Sequence, residues 1–231
     1  MRYTESTPDL QRRRLLQALS AGFLVSLIPA AASALDGGEV KKSVFRLKGR
    51  AWVNGNPVDM NTHIKPNDIV KTGHGSELVF VVGDHAMLLR GRSHLVIEPQ
   101  ENNAVGSFLI GGLRLFAGKL LSVSRNKGMR INTPSATIGI RGTGVYLEAG
   151  PERTYFCTCY GEVDVQAVND PDSKETVVSA HHDKPLYIYG KGQAGQSIHP
   201  VGRLPVPNHT DEELIMAEAL VGRVPPFTEK P

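Results

Sequence analysis

The chain is organised around the run Ile131-Asn-Thr-Pro-Ser-Ala-Thr-Ile-Gly-Ile-Arg141-Gly142-Thr143-Gly144-Val145, which precedes Thr154-Tyr-Phe-Cys157-Thr-Cys159-Tyr-Gly161-Glu-Val-Asp-Val165. Both runs are rich in β-branched and aromatic residues, which favour strands. Gly142 and Gly144 permit backbone angles that a side chain forbids, and the Thr143 hydroxyl can bond nearby backbone. The stretch therefore predicts two strands around a tight Arg-Gly-Thr-Gly corner.

Arg141 begins this corner, and its guanidinium can pair in a bidentate manner with a carboxylate. We interpret Arg141, Gly142, Thr143 and Gly144 as a structural motif in which the arginine locks adjacent strands together. Contact between Arg141 and a ligand or partner is the alternative.

Short apolar runs elsewhere in the chain end at glycine turns. Residues 78–82 stop at Gly83, and residues 108–110 stop at Gly111. Glycine is frequent, with 24 residues, and aromatic residues make up only 6%. Turn signals at such short and regular spacing predict an all-β fold, as a sandwich, a barrel or a solenoid. Periodicity alone does not choose among the three.

Several motifs occur in a fixed order between residues 49 and 165. They are Gly49-Arg-Ala-Trp-Val-Asn-Gly55, Asn67-Asp68-Ile-Val-Lys-Thr72-Gly73, Gly75-Ser76, Gly83-Asp84, Gly118-Lys119-Leu120, Asn132 to Thr143, and Tyr160-Gly161-Glu162-Val163. In this order they resemble the FecR domain, a periplasmic module of bacterial cell-surface signalling. The resemblance implies a non-enzymatic module that acts by protein–protein contact in envelope sensing, regulation or scaffolding. It also favours a twisted β-solenoid of short strands over a small β-sandwich or barrel.

The first 34 residues have the pattern of an export signal. Arg12 and Arg13 precede an apolar run, and Ala32-Ser-Ala34 offers the small residues at which a signal peptidase cuts. The arginines also resemble a twin-arginine signal, whose route carries folded proteins; an ordinary secretory signal is the alternative. We therefore expect a periplasmic or secreted product without an integral membrane segment. FecR-type regulators usually carry a cytoplasmic segment and a membrane helix, so direct control of a sigma factor is not expected here.

The expected organisation has five parts. Residues 1–34 are the signal and residues 35–48 a polar lead-in. The FecR-like β domain spans 49–165, a β extension and connector spans 166–208, and a C-terminal helix and tail spans 209–231. Loss of residues 1–34, which hold four basic and two acidic residues, lowers the formal net charge from +3 to +1. Such a balance does not favour nucleic acid as a partner.

One helix is predicted near the C-terminus. Thr210 and Glu213 form a capping box, and Gly222 followed by prolines ends the helix. Leu214 and Ala217 begin an apolar stripe, so we expect the helix to dock on the β body.

Cysteine and histidine residues provide the strongest chemical signal. Cys157 and Cys159 are two apart in a predicted strand and point to one face. His181 and His182 follow in the next hairpin, with His199 and His209 further along. Thiolates and imidazoles together suit Zn²⁺ or Cu⁺. We therefore identify Cys157, Cys159, His181 and His182 as a candidate metal site.

Two other interpretations of the cysteines stay open. Tyr155, Cys157, Cys159, Val163 and Val165 share strand parity, so the thiols can be small buried hydrophobic groups. In an oxidising compartment they can instead form a disulfide, although neighbours two apart on a flat strand are poorly placed for one.

The sequence contains no Gly-x-Ser-x-Gly elbow, phosphate-binding loop or His-Glu-x-x-His pattern. We therefore expect a non-enzymatic protein with no catalytic residues, whose partner is a periplasmic or outer-membrane protein. A metal-binding periplasmic protein is the first alternative function. An envelope scaffold that binds glycans is the second, because a stack of strands offers long open faces.

Overall fold

The computed structural model describes residues 42–100, 109–125, 127–191, 195–202 and 207–228. The expected signal, with Arg12, Arg13, Ala32 and Ala34, lies outside these residues, as does most of the expected lead-in. Fifteen strands and one α-helix, α1 (Asp211–Leu220), are present in the described part of the chain. The strands are β1 (Val44–Lys48), β2 (Ala51–Val53), β3 (Asn56–Pro57), β4 (Ile69–Thr72), β5 (Glu77–Val82), β6 (His85–Leu89), β7 (His94–Pro99), β8 (Ile110–Ser124), β9 (Arg130–Asn132), β10 (Ala136–Ile140), β11 (Thr143–Ala149), β12 (Arg153–Ala167), β13 (Asp170–Ser179), β14 (Leu186–Tyr189) and β15 (Ile198–Pro200).

Two sheets share the long strands β8 and β12. The first sheet runs β1-β5-β6-β8-β11-β12-β14-β15, and the second runs β3-β2-β4-β7-β8-β9-β10-β12-β13. Strands β8, β9, β10, β12 and β11 pair in a closed ring and form a small five-stranded barrel. Because the ring is closed, each of the five strands has a neighbour on both sides within the barrel.

The expected all-β fold with one C-terminal helix is confirmed, but the twisted solenoid is not. Stacked turns of a parallel coil would pair neighbouring strands in parallel. Among the described strands, β8 and β9 pair in parallel, whereas the other neighbours are antiparallel. Several of the short apolar runs therefore belong to antiparallel hairpins.

Each long strand changes from one sheet to the other at a glycine with positive φ. Gly118 in β8 has φ +96° and Gly161 in β12 has φ +94°. Before Gly161, β12 pairs with β11; from Gly161 onward it pairs with β13. Glycine tolerates this left-handed backbone without steric cost, so the strand bends without ending.

The bend at Gly161 reverses the parity that the sequence predicted for β12. Cys157 and Cys159 point to the outer face of the first sheet, whereas Val163 and Val165 point into the core between the sheets. The predicted common face therefore holds for the two cysteines and is wrong for the two valines. The bend makes the outer face of the first sheet a separate surface, on which α1 lies.

Helix α1 begins and ends where the sequence indicates. Thr210 and Glu213 form both bonds of the capping box, and Gly222 adopts φ +70° just beyond the last turn. Leu214 and Ala217 are buried against the outer face of the first sheet, in a cluster with Cys157 and Cys159. Burial of this apolar stripe docks the helix on the β body, as expected.

Candidate metal centre

Four sulfur and nitrogen ligand atoms from three segments meet beside the N-terminus of α1. They belong to Cys157, Cys159, His182 and His209, and all lie within 4.8 Å of one another. Both cysteines and His209 are buried, and His182 is half-buried. Such a closely spaced group of soft and borderline ligands is what a tetrahedral Zn²⁺ or Cu⁺ site requires.

Strand β12 supplies the two thiols. Because side chains alternate along a strand, Cys157 and Cys159 project from the same outer face. Both cysteines are free and fully buried. The described residues therefore contain no disulfide between Cys157 and Cys159, which was one of the alternatives. Burial of both thiols agrees equally with a metal site and with small hydrophobic core residues.

A tight loop after β13 supplies His182. The Asp183 carboxylate accepts a hydrogen bond from the amide of Ala180 at 2.7 Å, and the His182 amide donates to the Cys159 carbonyl at 3.0 Å. His182 itself has φ +54°, a conformation that few residues other than glycine adopt. The loop thus holds the imidazole against β12 at some backbone cost, as is common at functional sites.

The segment that leads into α1 supplies His209. Its ring stacks on Tyr146, with centroids 4.2 Å apart and planes inclined by 18°. Asn208, the preceding residue, has φ +58°, and Thr210, the following one, caps the helix. The stacking partner and the cap together fix the direction in which the His209 ring points.

Hydrogen bonds on the far side of each ring set the tautomers of the two histidines. Nε2 of His182 lies 3.1 Å from Oδ1 of Asp211, and Nδ1 of His209 lies 2.9 Å from the Pro207 carbonyl oxygen. Carboxylate and carbonyl oxygens only accept hydrogen bonds, so these two nitrogens carry the protons. A bound ion would then meet the lone pairs of His182 Nδ1 and His209 Nε2, as in metal sites whose histidines are oriented by outer acceptors.

Two of the separations within the group suit a tetrahedral ion. Nδ1 of His182 lies 3.4 Å from Cys157 Sγ and 3.3 Å from His209 Nε2. Bonds of about 2.0–2.3 Å to a central zinc place tetrahedral ligand atoms about 3.3–3.8 Å apart. An ion can therefore be held with little rearrangement of these three side chains.

The group also favours a charged thiolate. Hydrogen bonding with Cys159, and then with His182 and His209, lowers the pKa of Cys157 to about 4. Burial and the neighbouring Cys157 raise the pKa of Cys159. Burial opposes a charge on His182, but its bonds to Cys157 and Asp211 outweigh this and raise its pKa. Without an ion, protons on the facing ring nitrogens stabilise the Cys157 thiolate, and a bound cation would replace those protons.

His181 lies outside this four-residue group and instead forms a second, more exposed cluster with His182 and Asp211. Nε2 of His181 instead lies 2.8 Å from Oδ1 of Asp211, and the ring is largely exposed. Consecutive side chains diverge in this loop, so only His182 faces β12. His209 takes the place that the sequence analysis gave to His181, and Asp211 is an orienting residue that the sequence analysis did not identify.

The Arg141 motif lies elsewhere, at the junction of β10 and β12. Nε and Nη2 of Arg141 lie 2.8 and 2.5 Å from one oxygen of Asp164, and Nη1 lies 3.0 Å from Glu162. The arginine thus joins its own strand to β12, as a structural motif would, although its side chain is half exposed.

The glycine corner is built differently from the prediction. Gly142 has φ +95°, as expected, but Gly144 is required because the Tyr160 ring covers it, leaving only 2.5 Å to an added Cβ. The Thr143 hydroxyl is buried and has no hydrogen-bond partner among the described residues. Its side chain packs toward Gly161, so packing rather than the predicted hydroxyl bond holds the corner.

No model of a known protein family matches the chain, and no curated protein matches it. Two crystal structures described as a "putative anti-sigma factor" from Parabacteroides distasonis share 13% and 14% identity with it, each with a TM-score of 0.45. Each alignment covers 58% of this chain and 58% of the other. Within the described residues, no helix is both long and apolar enough to cross a membrane.

Proposed function

We propose that the protein binds one Zn²⁺ ion through Cys157, Cys159, His182 and His209. The observation that carries this proposal is the meeting of four ligand atoms within 4.8 Å, with an outer acceptor on the far nitrogen of both histidines. A buried set of two sulfurs and two nitrogens is typical of zinc, and Cu⁺ is the other ion that such ligands take.

The role that this centre supports is structural or regulatory rather than catalytic. Four protein ligands fill the coordination shell of zinc and leave no position for a substrate or a reactive water. Cys157, His182 and Asp211 also follow one another like a nucleophile, a base and an orienting acid. However, the Cys157 side chain is fully buried, so a substrate has no approach to its sulfur in this conformation.

We further propose that the protein is a non-enzymatic envelope module that acts in the periplasm or outside the cell by contact with another envelope protein. The ordered FecR-like motifs of residues 49–165 and the export pattern of residues 1–34 support this role. Fractionation of cells that express the full chain tests its location. Recovery of uncleaved protein in the cytoplasm would contradict it, and specific retention on peptidoglycan would favour the glycan-binding scaffold.

The decisive experiment is elemental analysis by plasma mass spectrometry on protein exported through its own signal, together with a thiol count. We expect one zinc ion per chain, with both thiols becoming reactive only after chelation and unfolding. Absence of metal with two free thiols would refute the proposal and leave the cysteines as core residues. Absence of both metal and thiols would indicate a disulfide instead.

Variants locate the ion. Cys157→Ser and His209→Ala should each lose bound zinc and lower the melting temperature, because structural metal binding adds directly to the free energy of folding. His199→Ala is the matched control, since His199 is exposed on β15 and lies outside the cluster. Unchanged zinc content in both cluster variants would place the ion elsewhere.

A further inference from the structure

The C-terminal segment 207–228 (the clasp segment) provides a large share of the proposed centre. It contributes His209 as a ligand and Asp211 as the acceptor that orients His182, whereas β12 and the following loop contribute the rest. An ion bound at this place would therefore join the clasp segment to the β body. This inference rests on the proposed metal binding.

Apart from the proposed ion, polar contacts at both ends of α1 and a small apolar cluster attach the clasp segment to the β body. Arg90, on the β body, binds Glu213 at 2.6 and 2.8 Å and the Asn208 carbonyl at 2.9 Å. Leu214 and Ala217 are the buried apolar residues of α1. A helix of ten residues is not stable alone in water, so α1 depends on these contacts for its structure.

The face beneath α1 is strongly apolar. Five aliphatic side chains on three neighbouring strands of the first sheet form it, and each is at most 3% exposed: Val79, Val81, Leu88, Leu121 and Val123. Arginine side chains stand around this face, with Arg90 near the start of α1 and Arg125 near its end. Without a cover, the face would be an apolar patch of the kind that binds other proteins.

The properties of α1 indicate which kind of partner segment could bind to this face. Helix α1 presents a short apolar stripe to it, and its first turn holds Asp211, Glu212 and Glu213. Glu213 pairs with Arg90, and Glu218 pairs with Arg125. The complementary occupant is therefore an acidic amphipathic helix, which binds by laying its apolar side on the sheet.

We propose that the outer face of the first sheet is a docking surface for an acidic amphipathic helix of a partner protein, and that the bound ion keeps the chain's own clasp segment on it. Binding of the ion to the docked form alone shifts the population toward that form. Loss of the ion releases His209 and Asp211, frees α1 and uncovers the docking surface.

Hydrogen–deuterium exchange on the full chain tests the release. Zinc-loaded and chelated protein are compared, and the zinc content of each sample is measured. We expect exchange of the α1 amides to accelerate at least tenfold on chelation, while β10 and β11 of the barrel keep their protection. Zinc that binds and leaves without changing α1 exchange would overturn the clasp, whereas absence of zinc binding would instead overturn the proposed function.

A labelled peptide tests the docking surface. It has the sequence of residues 207–228 with His209→Ala, so that it cannot ligate the ion, and it is added to both forms of the full chain. We expect at least tenfold tighter binding to the chelated form, and loss of that binding when the peptide also carries Leu214→Asp. Failure to bind the chelated form, or equal binding to both forms, would overturn the docking surface.

Discussion

The carboxylate of Glu218 in α1 accepts a hydrogen bond from the hydroxyl of Tyr160 in β12. Arg223 donates to the same carboxylate at 2.6 Å, and Arg125 at 3.3 Å. Tyr160 directly follows Cys159 in the chain. Strand β12 therefore holds both ends of the helix, through the Cys/His group at its start and through Glu218 at its end.

Glu218 should contribute strongly to stability because it is fully buried and paired. We expect Glu218→Ala to lower the free energy of unfolding by about 3 kcal/mol, since removing one partner of a buried ion pair leaves the others uncompensated. Urea denaturation measures the change. Glu212→Ala is the control, because Glu212 lies exposed on the same helix and should change stability much less than Glu218→Ala. Equal losses in the two variants would contradict the role of the buried group.

Gly161 should tolerate no side chain. Its φ of +94° is unfavourable for other residues, and an added Cβ would lie 2.7 Å from the Gly142 carbonyl oxygen. We expect Gly161→Ala to cost about 2 kcal/mol or more of unfolding free energy. Gly139→Ala is the matched control, because an added Cβ there meets only ordinary contacts at 3.7 Å. A loss no larger than that of the control would show that the bend of β12 does not require glycine.

The same glycine shows how far the sequence could predict the fold. The glycines predict strand ends, and this pattern indicates the β class and many of the turns. At Gly118 and Gly161, however, the chain bends and continues, so β8 and β12 each span 15 residues and serve both sheets. Whether a strand ends or bends at a glycine depends on partners distant in sequence, such as Gly142 beside Gly161.

The candidate site was predictable to a similar extent. Strand alternation placed Cys157 and Cys159 on one face, and the capping box located the start of α1. The choice of His209 over His181 depends on how the helix docks on the first sheet, which local pattern does not encode. One sequence feature could have indicated His209 as a ligand: it directly precedes the helix cap, and a cap fixes the direction of nearby side chains.

Asp170 should make stability depend on pH in the acid range. Its carboxylate accepts hydrogen bonds from the Gly195 amide at 3.0 Å and from the hydroxyls of Ser173 and Ser197 at 2.6 and 2.8 Å. These bonds, the Gly195 amide first, lower the pKa of Asp170 to about 2. Because the folded pKa lies below the unfolded value of about 3.9, the stabilisation is complete above that value and is lost as the pH falls toward 2.

Asp170→Asn removes this contribution. We expect the variant to be less stable than the natural chain at pH 7 and to approach it as the pH falls toward 2. Urea midpoints at several pH values between 7 and 2.5 measure the difference. Asp172→Asn, at an exposed position two residues away, is the control and should leave the pH profile unchanged. A constant difference between Asp170→Asn and the natural chain at every pH would contradict the assignment.

The contacts of Arg141 are well formed but lie at the surface, so their contribution to stability should be small. Its guanidinium bonds to Asp164 and Glu162 while about half of the side chain stays exposed. Exposed ion pairs contribute little to stability, so Arg141→Ala should lower the free energy of unfolding only slightly. Arg141→Lys keeps the charge but loses the contact through two nitrogens. Its free energy of unfolding should therefore lie between those of the natural chain and Arg141→Ala. Urea denaturation at low and high salt measures these losses, which should shrink as salt screens the charges. A large loss that is insensitive to salt would instead show that Arg141 supports the core of the barrel.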